Sequence, residues 1–129
     1  EPVRYLSYAE AVLIHFTLME YYGETRYGIF SRELIESALA RPRQAAAYEN
    51  ADLFQQAAHL CFGLIKYHPW IGGNKRPATL VTHEFLRLNG YRWRAPTAVV
   101  IELVLAVEAD RWQVAEIAAW LREYVSPLG

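Results

Sequence analysis

LFQQAAHLCFGLIKYHPWIGGNKRPATLVTHEFLRL, residues 53–88, decides how this chain folds. Leu53, Phe54, Ala57, Leu60, Cys61, Leu64 and Ile65 form a wide apolar stripe at helical spacing, as expected of a central helix with neighbours on several sides. The stripe stops at His68-Pro69. Ala78, Val81, Phe85 and Leu88 then resume the period, with Pro77 tolerated in the first turn and Asn89-Gly90 as the stop signal. Two strongly apolar helices are thus joined by a short polar, glycine-bearing segment. The expected fold class is all-α, a compact helical bundle with a functional loop between two central helices.

Toward the N-terminus, Ser7-Tyr-Ala-Glu10 has the form of a capping box. Tyr8, Ala11, Val12, His15, Leu18, Met19 and Tyr22 follow at helical spacing until Gly23. Glu24 to Phe30 reads as a connection. Ser31 opens a short helix through Leu34, Ile35, Ala38 and Leu39, which Pro42 is expected to end. Arg41, Arg43, Tyr48 and Glu49 then flank a loop-like, solvated stretch, although Ala45-Ala-Ala permits a helical turn. Asn50 is the expected cap of the central helix, with Asp52 in its first turn. Toward the C-terminus, Tyr91 to Arg94 is briefly extended and Pro96-Thr97 starts a helix with Val100, Ile101, Val104, Leu105 and Val107. Asp110 to Gln113 resembles another capping box, leading into Val114, Ile117, Ala118, Leu121 and Val125. No period-two strand pattern and no internal repeat stands out.

The 129 residues, 53% apolar, are expected to form one domain over 1–129 with a core that needs neither disulfides nor metals. A net charge of −1, with the two signs interspersed, argues against nucleic acid or an anionic membrane as the main partner. The lone Cys61 fits a packing role in a reducing compartment. Without a leader-like start or a membrane-length apolar run, the protein is expected to be cytoplasmic; the missing initiator Met suggests trimming of the first residues.

Composition changes abruptly between His68 and Arg76. Gly72 and Gly73 remove Cβ atoms that would keep the backbone away from an anion, and the helix starting near Asn74 directs unpaired N–H groups at the loop. Lys75 and Arg76 can add charge-assisted hydrogen bonds to phosphate oxygens, Lys75 as a point charge and Arg76 as a planar fork. His68, at the loop entrance, can take the proton of a hydroxyl that attacks phosphorus. An ordinary glycine-rich turn between helices is the competing reading.

His68-Pro-Trp-Ile-Gly-Gly-Asn-Lys-Arg76 resembles the Fic signature His-Pro-Phe-x-Asp/Glu-Gly-Asn-Gly/Lys-Arg, and its lysine is similar to that of the Doc (death-on-curing) branch. Tyr5 to Glu10, Glu36 to Pro42, Asp52 to Phe54 and Leu88 to Tyr91 resemble Doc-like proteins in the same order. The resemblance implies a Fic/Doc-type bundle, His68 as the catalytic base, and Gly73, Asn74, Lys75 and Arg76 as the phosphate and nucleotide site. It implies ATP as co-substrate and Mg2+ on its phosphates. It further implies a toxin of a toxin–antitoxin system that transfers phosphate to a hydroxyl of a target protein, a translation elongation factor in Doc-type toxins. Fic enzymes that transfer AMP usually carry glycine where Lys75 stands and a second arginine where Thr79 stands. Both differences favour the Doc reading, with AMP transfer as the alternative. A Phd-type antitoxin is the implied partner, because no Ser/Thr-x-x-x-Glu-Gly/Asn inhibitory motif occurs in the chain.

The chain departs from the signature where it matters for metal. Gly72 occupies the position of the acid that helps hold magnesium, and no carboxylate lies within the loop. Three readings stand: a carboxylate from elsewhere serves, nucleotide binds without turnover in a weakened binding module, or the change inactivates. Trp70 keeps an aromatic anchor at the usual phenylalanine position, and Pro77 replaces a frequent threonine. His15, His59 and His83 lie singly on separate expected helices and read as packing or surface residues rather than metal ligands. Trp93, Trp112 and Trp120 read as core.

Overall fold

A computed structural model describes residues 2–67, 69–71 and 75–129; of Trp70, Ile71, Lys75, Arg76 and Pro77 only the backbone is described. Among the described residues there are six helices: α1 (Tyr8–Tyr21), α2 (Arg32–Glu49), α3 (Leu53–Lys66), α4 (Lys75–Leu88), α5 (Thr97–Glu108) and α6 (Val114–Tyr124). Two antiparallel ribbons accompany them. β1 (Gly28–Ile29) pairs with β2 (Trp70–Ile71), and β3 (Tyr91–Trp93) pairs with β4 (Val125–Pro127). The fold is the expected all-α bundle, with strands too short to leave a period in the sequence.

α3 is the central element, packed against α2, α4, α5 and α6. Its Ala57, Leu60, Cys61, Leu64 and Ile65 join Ile35 of α2, Val81 and Phe85 of α4, Leu103 of α5 and Ile117 and Leu121 of α6 in one buried cluster. Removing that apolar surface from water is the main driving force for assembling the helices. The Ser7 capping box appears as expected: Glu10 N donates to Ser7 Oγ at 3.1 Å, and Ser7 N donates to Glu10 Oε1 at 2.9 Å.

Three local expectations are corrected. α2 does not stop at Pro42; it runs through that residue to Glu49, so Arg41, Arg43, Tyr48 and Glu49 lie on a helix rather than beside a loop. An interior proline sacrifices one backbone hydrogen bond at a cost of ~3 kcal/mol. Burial of the Pro42 ring and close packing of α2 on α3 offset that cost. Asn50 does not cap α3. It closes α2 in the left-handed region (φ 53°), while Asp52 caps α3 through a reciprocal box with Gln55. Asp110 likewise takes a left-handed turn conformation (φ 61°), and α6 is capped by Gln113, whose N–H donates to Glu116 Oε1 at 2.7 Å.

The chain's two outer segments meet at one turn beyond α4. Arg4 N donates to Asn89 Oδ1 and Asn89 Nδ2 donates to Arg4 O, both at 2.9 Å, and Leu128 N donates to Gly90 O at 2.9 Å. Gly90 there has φ +90°, a conformation that costs glycine little.

Candidate functional site

The loop expected to carry chemistry leaves α3 at Tyr67, whose N–H closes the helix on Gly63 O at 3.2 Å. Pro69 is buried, and its carbonyl accepts two bonds, from Phe30 N at 2.9 Å and Ser31 N at 3.1 Å. Ile29 then pairs with Trp70 and Gly28 with Ile71. The segment after α1 therefore serves as a backbone clamp on the loop, a role its mixed composition did not announce. The chain re-enters a helix at Lys75.

His68, Gly72, Gly73 and Asn74, four positions of the expected site, lie outside the described residues. Lys75 and Arg76 open α4 through their backbone, and their side chains are not described. The first N–H groups of a helix have no partner within it and carry the positive end of its dipole. The end of the loop thus has the helix start that an anion cradle requires. One turn on, Thr79 is 7% exposed and Thr82 is fully buried, its Oγ1 donating to Ala78 O at 2.8 Å. The wall of α4 behind the loop is therefore packed rather than charged.

His15 lies beneath the clamp strand, with no exposed surface and its ring 6.1 Å from that of Tyr27. Burial lowers its pKa to about 4, with the Gly28 backbone pulling the other way, so it is neutral at pH 7. His83 is lowered by burial and by Arg87, against Glu84, and its ring lies 5.6 Å from Trp93. His59 has a carboxylate partner that spacing did not reveal, Glu49 Oε2 at 3.3 Å. Among the described residues no group of three or more His, Cys, Asp or Glu is arranged to hold a metal. Trp93 and Trp120 pack 5.2 Å apart, and the buried Cys61 packs in the core, its thiol pushed up to about 12 by desolvation.

A cleft of about 530 Å3 opens beside α4. Thr79, Leu80 and His83 form one wall, Val100, Ile101, Val104 and Leu105 of α5 another, and Tyr22 and Trp93 the ends. Ile101 is 53% and Leu105 48% exposed. Sequence reading missed this cleft because α5 is apolar on nearly every side and reads as core.

Among the described residues no helix is long and apolar enough to cross a membrane. No curated protein matches the chain. The model of the Fic/DOC family matches residues 5–86, from before α1 to near the end of α4, so the match encloses both the clamp and the loop. Proteins of that family are generally transferases that act on other proteins. With well over half its length matched, and with an all-helical fold built around the loop, this chain belongs to the Fic/DOC family.

Proposed function

We propose that the protein is a Doc-like toxin that transfers phosphate from ATP to a hydroxyl of a target protein, a translation factor, in the cytoplasm. The observation that carries the reading is the loop itself: a histidine at its entrance, paired glycines, and Asn74, Lys75 and Arg76 where α4 begins. His68 acts as the base on the target hydroxyl. Gly73, Asn74, Lys75, Arg76 and the first N–H groups of α4 hold the phosphates. Thr79 supports phosphate over AMP transfer. A buried threonine stands where AMP-transferring relatives carry a second arginine, so that position offers the nucleotide no cation. A Phd-type antitoxin restrains the enzyme, and the apolar cleft beside α4 suits an apolar helical segment of such a partner.

Gly72 favours a second reading, a Fic-like module that binds nucleotide and partner with weakened turnover. No step is assigned to Mg2+, because the acid position is a glycine. Incubation with ATP labelled at the alpha or the gamma phosphate, magnesium and a cytoplasmic lysate separates these readings. Protein label from gamma alone supports phosphorylation. Label from alpha replaces it with AMP transfer, and ATP binding without label supports the weakened module.

A further inference from the structure

Arg41 was expected in a solvated connection, yet it lies half-buried where α2 crosses α3. Its Nε donates to the His59 carbonyl at 3.1 Å. Its guanidinium carbon then stands 5.4 Å from the ring centroid of Phe62 and 5.9 Å from that of Tyr67, within the range of a cation over an aromatic face. The side chain therefore follows α3 toward its C-terminal end, where a helix favours positive charge.

Gly63 makes that course possible. A Cβ at this position would stand 2.8 Å from Arg41 Cδ and 3.3 Å from Nε, so any other residue displaces the arginine. Gly63 also supplies the carbonyl that receives the Tyr67 N–H. One residue separates Tyr67 from Pro69, which is fixed from the other side by Phe30 and Ser31. The entrance of the loop is thus held at two points, by Arg41 through the last turn of α3 and by the clamp strand through Pro69.

We propose that Arg41 is a positioning residue for the loop. Its guanidinium fixes the last turn of α3, and with it the direction in which the chain leaves Tyr67, and it brings a positive charge to that end of the helix. The proposal rests on the functional reading above only for its kinetic consequence. Its structural consequence is independent of any activity.

The test compares Arg41→Gln and Arg41→Lys with Ala38→Gly. Ala38 is buried in α2, and its Cβ stands 3.4 Å from where a Gly63 Cβ would lie, so its truncation loosens the same seam without touching the arginine. Amide hydrogen exchange is followed at Tyr67, Phe30 and Ser31 at a temperature where every variant is folded. Arg41→Gln is expected to speed exchange at all three by about tenfold, Arg41→Lys to recover part of the protection, and Ala38→Gly to leave them within about twofold of wild type. In the labelled-ATP assay, Arg41→Gln lowers kcat by roughly tenfold or more while KM for ATP stays within about threefold, because a misdirected entrance misplaces the reacting groups. Equal exchange in Arg41→Gln and Ala38→Gly, or wild-type exchange in Arg41→Gln, overturns the proposal and leaves Arg41 as an ordinary strut. Absence of transfer in the wild type as well counts against the functional reading, and the exchange data still decide the role of Arg41.

Discussion

At the scale of single residues, two side chains make opposite demands on measurement. His15 is buried and neutral, with its pKa moved from 6.5 to about 4, so the unfolded chain gains a proton that the folded chain refuses between those values. Its contribution to stability is complete above pH 6.5 and is lost as pH falls toward 4, by up to about 1.4 kcal/mol per pH unit. Urea titrations from pH 7 to 4.5 are therefore expected to show a shallower acid limb in His15→Gln than in wild type; parallel limbs would mean that His15 is charged in the fold. At the other residue, Gly72, the question is chemical. Gly72→Asp is expected to raise magnesium-dependent transfer, and His68→Ala in that background to remove about 100-fold or more of the rate, the usual share of a general base. No gain from the aspartate would show that this position does not limit metal use.

Among the elements, α3 depends on Asp52, the residue before it, for both its cap and its link to α6. Asp52 Oδ1 accepts from Gln55 N at 2.9 Å and Oδ2 meets Arg122 at 2.7 Å. Although burial opposes it, these bonds hold the carboxyl below its ordinary pKa. Asp52→Ala is expected to cost about 1 kcal/mol in urea denaturation and Asp52→Asn clearly less, because asparagine still caps and the exposed ion pair adds little. Equal losses would transfer the weight to the ion pair. α1, α3 and α4 were legible because their apolar period and most of their boundaries are local properties of the sequence. α2 was not, since Pro42 announces its cost locally while the packing that offsets it comes from α3. The competition between Asn50 and Asp52 to start α3 turned on a left-handed backbone that residue type alone leaves open. β1 was illegible as a clamp because its role depends on Pro69, thirty-nine residues after Phe30. The loop showed itself by composition, and four of its key positions, His68, Gly72, Gly73 and Asn74, lie outside the described residues.

For the whole molecule, the cleft between α4 and α5 is an apolar opening at the surface. It is of the size that holds a small apolar ligand, and Ile101 and Leu105 form an exposed apolar lip. An environment-sensitive apolar dye should brighten on the wild type, and Ile101→Glu with Leu105→Glu should abolish most of that signal while changing stability by no more than about 1 kcal/mol. Undiminished fluorescence would direct attention to another surface. The turn at Asn89 and Gly90, where Arg4 and Leu128 both arrive, has a separate consequence. α4 is 14 residues long, so this meeting point lies roughly 20 Å along the helix axis from the loop. The backbone path from Arg4 to Leu128 thus nearly closes on itself at the end of α4 that lies away from the loop. In a polypeptide cut to residues 4–128, a linker of a few residues would span the two segments, and an opening between α5 and α6 would give a circular permutant with the same core and an untouched loop.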